Sequence, residues 1–144
     1  MRRQQGFSML EVLITMIVIS VGLLGIAGLI MTNLKTNHSA YGRGQATILA
    51  NDIIDRMRAN RAVAQTTTNY VVKFTDVPAE GTTVAEGDVF AWRTALANTL
   101  KDGKGSIDFT AAGNVVVTIQ WDDARANGVA LGTANQKFVQ ETRL

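Results

Sequence analysis

Gly6-Phe7-Ser8-Met9-Leu10-Glu11-Val12-Leu13-Ile14 opens an apolar run that continues to Met31, and Glu11 is the only charged side chain within it. The run from Phe7 to Met31 is 25 residues long. About 20 apolar residues cross a bilayer as a helix, so the length suffices. A carboxylate in such a segment costs roughly 2.5–3.5 kcal/mol at mid-membrane and less near the interface. A plain anchor has no use for that cost. A segment that later leaves the membrane and pairs its carboxylate does. A secretory signal would have an apolar region of about 7–15 residues ending at a small-x-small site. Here the run is too long and carries Glu11 near its start, which leaves an uncleaved signal anchor as the competing reading.

Arg2-Arg3-Gln4-Gln5-Gly6, followed by Phe7-Ser8-Met9-Leu10-Glu11-Val12, resembles the class III signal of type IV pilins and type II secretion pseudopilins. That family has a short basic leader ending in Gly, then Phe, then Glu four residues later, then an apolar helix. Asn37-His38-Ser39-Ala40-Tyr41, Gln45-Ala46-Thr47 and Asp55-Arg56-Met57-Arg58-Ala59-Asn60 resemble one branch, the PilV-type minor pilins (type IV pilus modification proteins). The likeness covers about the first 60 residues and thins beyond them. It implies a pilin fold of the α+β class, a long N-terminal helix packed on a small antiparallel sheet with a second short helix. It also implies cutting after Gly6 by a membrane-embedded prepilin peptidase and N-methylation of the new Phe7 amine. The protein is then a substrate and a structural subunit, with no catalytic residue of its own.

Composition narrows the rest. The formal charge is +2, from 14 basic and 12 acidic side chains. Arg2 and Arg3 fall in the leader, so the mature chain balances 12 against 12. No basic cluster with interleaved aromatics marks a nucleic-acid binder. The absence of cysteine excludes a disulfide framework, a thiolate zinc site and a Cys nucleophile. Many pilins staple a C-terminal loop with a disulfide, whereas this chain must hold its C-terminal region by packing and strand pairing.

The chain divides into a leader at 1–6, a membrane or filament-core half-helix at 7–31, an amphipathic half-helix at 32–61 and an α+β head at 62–144. Past Met31, Leu34, Ala46, Leu49, Ile53, Ile54 and Met57 recur at helical spacing on one stripe. Asp52 and Arg56 stand four apart and can pair on the solvated side. Gly22, Gly25 and Gly28 interrupt the first half. They fit close helix–helix packing, and equally a segment that loosens on entering a filament. Thr66–Asn69 reads as a turn, Tyr70–Phe74 as a short strand, and Val77–Gly81 as a turn holding the only proline. Asp88 as N-cap, with Val89, Trp92, Leu96 and Leu100, predicts a second helix over 88–101. Ser106–Thr110 and Val115–Trp121 predict a hairpin turning at Ala112–Asn114, Asp122–Asn135 a loop, and Lys137–Arg143 a final strand.

Glu11 needs a partner in an apolar surround, because an unpaired buried carboxylate is expensive. The resemblance supplies one, the Phe7 amine of a neighbouring subunit or of the chain itself. The bland alternative is a favourable contact with the positive end of its own helix, worth about 0.3–1 kcal/mol. Arg56, Arg58 and Arg61 complement the negative end of the long helix. The resemblance adds pilin docking through Asp55, Arg56, Arg58 and Asn60. His38 reads as a solvated helix residue and Asp122-Asp123 as a strand-end turn; adjacent carboxylates alone fall short of the six to eight oxygens calcium takes, and no metal or cofactor is expected. Ser8, Ser20 and Ser39 have no base at a readable spacing, which speaks against a hydrolase.

The expected function is that of a minor pilin that promotes type IV pilus assembly near the filament tip. Its partners are the prepilin peptidase, other minor pilins, the major pilin and a large PilY-type tip adhesin. Before assembly it sits in the inner membrane of a Gram-negative cell with its head in the periplasm, and afterwards in the pilus. One rival is a minor pseudopilin of a type II secretion system. The other is a DNA-uptake receptor, which requires folding to gather Lys73, Lys101, Lys104 and Lys137.

Overall fold

A computed structural model describes residues 6–66, 68–77, 79–124 and 135–144. The leader up to residue 5, Thr67 of the first turn, Pro78 of the second and most of the loop expected after Asp122 lie outside the described residues. In chain order the elements are α1 (Met9–Ala59), α2 (Arg61–Thr66), α3 (Val84–Thr99), β1 (Lys104–Phe109), β2 (Asn114–Asp122) and β3 (Asn135–Arg143). A long N-terminal helix packs on a three-stranded antiparallel sheet in the order β1-β2-β3, with α3 as the short second helix. The expected α+β pilin fold is the one observed.

At 51 residues α1 is about 77 Å long. Its buried row is Gly42, Ala46, Ala50, Ile53, Ile54 and Met57. The row starts small and ends large, so the sheet and α3 approach the helix closely at Gly42–Ala50 and wedge against branched side chains further on. Leu34, expected on this row, is exposed because the head does not reach it. The helix was expected to run to about residue 61 and breaks at Asn60 instead. Asn60 leaves helical geometry at φ −111°, ψ 38°, while its N–H still donates to the Arg56 carbonyl. Its own carbonyl accepts from the Ala64 N–H of α2, and its side-chain amide donates to the Tyr70 hydroxyl at 3.2 Å.

The second helix starts four residues earlier than expected. Thr83, not Asp88, is its N-cap, with Glu86 completing a capping box. Each of the two side chains satisfies a backbone N–H that the first helical turn leaves open. Asp88 is thereby released for other work and accepts from Tyr70 and Arg56. The helix packs on both α1 and β1 through Trp92 and Leu96, both fully buried. Trp92 Nε1 donates to the Leu49 carbonyl at 2.9 Å. Gly105 makes room for this ring, since a Cβ there collides with Trp92 and Leu96.

The hairpin is in the expected place, with Ile107 opposite Val117 and Phe109 opposite Val115. Gly113 closes it at φ 78°, a conformation that costs glycine nothing. Val115, Val117, Ile119 and Trp121 alternate inward along β2. On β3 the inner row is Phe138, Gln140 and Thr142, and the two polar members reach α1: Gln140 donates to Asn51 at 3.0 Å and Thr142 accepts from Arg58 at 3.3 Å. The expected strand at Tyr70–Phe74 reduces to a single bridge between Val72 and Ile107. Arg93 explains why the chain goes no further: its buried guanidinium donates to the carbonyls of Lys73, Asp76 and Gly105. Those carbonyls turn toward a side chain instead of a neighbouring strand. Burial lowers the pKa of Arg93, and Asp76 partly counters this.

Candidate functional site: the N-terminal segment and the end of the long helix

Gly6, Phe7 and Ser8 precede the helix as exposed, non-helical chain. Ser8 caps α1 in extended geometry at φ −81°, ψ 148°, and its hydroxyl accepts from the Glu11 N–H at 3.2 Å. The Gly6–Phe7 bond is thus two residues short of the first helical residue. A peptide bond held inside a helix cannot lie along a protease cleft, and this one is outside it. Phe7 is 85% exposed. Glu11 sits in the first turn, four residues beyond Phe7 in sequence.

From Met9 to His38 every side chain of α1 is exposed. It is the one helix among the described residues that is long and apolar enough to cross a membrane, and none of its most apolar 18-residue window is buried. A soluble core helix of that composition would be covered. The hydroxyls in it are self-sufficient: Thr15, Ser20, Thr32 and Thr36 each donate to the carbonyl four residues back. This is how hydroxyls are accommodated where no water is available. Within the apolar run to Met31, Glu11 is the exception, since an ionised carboxylate has no proton to return to its own backbone. A Cβ built on Gly22, Gly25 or Gly28 meets nothing, so no contact among the described residues requires glycine there.

At the other end of α1 the four candidate docking residues separate into two pairs. Arg56 bonds Asp52 at 3.1 Å, as the spacing predicts, and Asp88 at 3.4 Å. Burial opposes the Arg56 charge, but the two carboxylates outweigh it and leave its pKa raised. Asn60 bonds Tyr70, whose hydroxyl donates to Asp88 at 2.7 Å. Burial first, then the Asp88 carboxylate, pushes the Tyr70 pKa up. Arg56 and Asn60 therefore tie α1 to Tyr70 and α3. Asp55 and Arg58 pair at 2.9 Å on the exposed side of α1, where a partner can reach them. The sequence did not show that Tyr70 and Asp88 join this group; a tyrosine 10 residues beyond the break carries no local signal.

His38 is exposed. Asp122 and Asp123 are buried at the end of β2, and Asp123 accepts from Ser39 at 2.8 Å. This contact ties the sheet to α1 and fits the strand-end reading of the pair. Among the described residues no three His, Cys, Asp or Glu side chains converge as metal ligands would.

The family model for the prokaryotic N-terminal methylation motif matches residues 1–27. No curated protein and no solved structure matches the chain. The motif match supports a type IV pilin-like protein, processed as a prepilin and associated with other pilins, with a structural role. An exposed apolar helix and this motif together fit membrane anchoring before assembly.

Proposed function

We propose that this chain is a minor pilin of the PilV type, which primes type IV pilus assembly and sits near the filament tip. The observation that carries the proposal is the apolar half of α1, which nothing among the described residues covers and which holds a single charge at Glu11. Prepilin peptidase cuts after Gly6 and methylates the Phe7 amine. Residues 7–31 hold the subunit in the inner membrane, 32–61 carry the head, and residues 62–144 complete it in the periplasm. On assembly the apolar half exchanges lipid for the helices of neighbouring subunits. Glu11 then pairs with a neighbour's Phe7 amine, because a carboxylate in an apolar surround is tolerable only with close, opposite charge. Asp55 and Arg58 offer an exposed pair for another minor pilin, the major pilin or a PilY-type adhesin.

Mass spectrometry of membrane-derived protein tests the processing step: the chain should begin at N-methylated Phe7. Gly6→Val should block cutting, since a branched side chain crowds and stiffens the scissile backbone. Glu11→Val tests assembly. The variant should be cleaved and held in the membrane yet lost from sheared filaments. Wild-type amounts there, with normal pilus number, would remove the assembly role from Glu11.

A further inference from the structure

The Gly6–Phe7 bond lies just ahead of α1, and one side chain decides where that helix opens. In an α-helix each N–H donates to the carbonyl four residues back. A helix reaching back past residue 8 would give the Leu10 N–H to the Gly6 carbonyl and the Glu11 N–H to the Phe7 carbonyl. The structure shows another arrangement. The Glu11 N–H goes to the Ser8 hydroxyl at 3.2 Å and to the Ser8 carbonyl at 3.1 Å. The Val12 N–H donates to the Ser8 carbonyl at 3.3 Å, as the first regular bond of the helix. The Ser8 hydroxyl thus holds a donor that the Phe7 carbonyl would otherwise take, and Ser8 itself stays extended at φ −81°, ψ 148°.

Around Ser8 the sequence favours helix, since Met, Arg, Gln and Leu are all good formers. A helix that loses its cap in an apolar surround cannot fray inward, because the freed N–H groups find no water. It runs back to the next acceptable cap, which is Gly6. The carbonyl of a capping residue accepts the first bond of its helix, so the Gly6 carbonyl would then be held by the Leu10 N–H. Hydrolysis adds water across the Gly6–Phe7 amide, leaving a Gly6 carboxylate and a Phe7 amine, and it begins at that carbonyl. An oxygen already engaged in a helix is closed to the donors with which a peptidase stabilises the attack. We propose that Ser8 is a positioning residue for processing, whose hydroxyl stops α1 short of the scissile bond and keeps the Gly6 carbonyl free. The proposal deepens the processing reading of the preceding section and rests on it.

The test times cutting of the full-length chain in membranes that contain a prepilin peptidase, with the cut site read by mass spectrometry. Ser8→Ala should slow cutting roughly 2- to 30-fold, the range that loss of a cap supplies. Ser8→Thr keeps a capping hydroxyl and should be cut at close to the wild-type rate. A second background separates a helix stop from a direct contact with the peptidase. Proline is accepted as the first residue of a helix and holds the residue before it extended. With Met9→Pro the helix cannot run back through residue 8, so adding Ser8→Ala should change the rate no further, whatever the proline does by itself. In micelles, the NMR shift of the Gly6 carbonyl carbon should move toward helical values in Ser8→Ala and stay in place when Met9→Pro is added. Equal cutting of wild type and Ser8→Ala, or an unmoved Gly6 carbonyl shift in Ser8→Ala, would overturn the proposal. The same fold-loss from Ser8→Ala with and without the proline would overturn it in favour of a contact between the hydroxyl and the peptidase. A wild-type chain that is not cut after Gly6 would instead overturn the processing reading on which it rests.

Discussion

The two halves of α1 share one backbone and answer to different surroundings. From Tyr41 to Met57 the helix buries a single row, and the opposite side stays polar except for residues such as Tyr41 and Ile48. From Met9 to Met31 it is apolar on every side and buries nothing. A helix whose neighbours are fixed in its own chain needs one apolar stripe. A helix whose neighbours are lipid, or other copies arriving from several directions, is apolar all round. The contrast locates the folding energy in the head and the assembly energy in the tail, so substitutions in the two halves should have separable effects.

The largest effect should come from Trp92→Ala in the head. It removes a fully buried ring and its bond to Leu49 and should cost about 3–5 kcal/mol in denaturant unfolding. A near-neutral result would mean that α3 contributes little to holding the head. Next is Arg93→Met, which leaves three carbonyls without their charged donor. Such bonds are worth about 1.5–3 kcal/mol, and the loss should appear in unfolding and as faster amide exchange over residues 71–76. Smaller again is Tyr70→Phe. Burial raises the Tyr70 pKa, so the native state holds its proton more tightly than the unfolded chain does. That contribution is fully present below pH 10 and is lost as pH rises through the raised value. The alkaline decline in stability should therefore be shallower in Tyr70→Phe. Thr83→Ala should cost about 1 kcal/mol through loss of the cap. The smallest effect should be that of Ile17→Ala, which truncates an equally apolar side chain in the tail. It should change head unfolding by less than about 0.5 kcal/mol. A larger change would break the comparison, because it would show the tail folding against the head.

Much of this division was legible in the residues. Ala46, Leu49, Ile53, Ile54 and Met57 state their own spacing, and Val115–Trp121 alternate as a half-buried strand must. The N-terminal candidates Gly6, Phe7 and Glu11 lie within a dozen residues, so their relation is local and readable. What escaped was either a competition between local signals or a contact made across the chain. Asp88 reads as the helix start, but Thr83 takes the cap, because with Glu86 it satisfies backbone donors from two side chains. Arg93 reads as an ordinary surface residue until the loop that it clamps is in place. The Arg56–Asp88–Tyr70–Asn60 group draws on three separate segments, and Ser39 meets Asp123 across 84 residues. No pattern within a short window encodes such meetings.

The hydroxyls of Thr15, Ser20, Thr32 and Thr36, each folded back on its own helix, have a mechanical consequence. Between Met9 and Met31, Thr15 and Ser20 so placed leave a smooth rod with Glu11 as its one polar projection as the helix slides or turns. Along such a rod axial position is weakly defined, since one apolar ridge fits a groove about as well as the next. On the proposed assembly role, Glu11 is a single peg at the very start. A filament built on such rods would then take its register from one charge near the end of each, and moving that charge by a turn of helix should shift the subunit's height by about 5.4 Å without altering its fold.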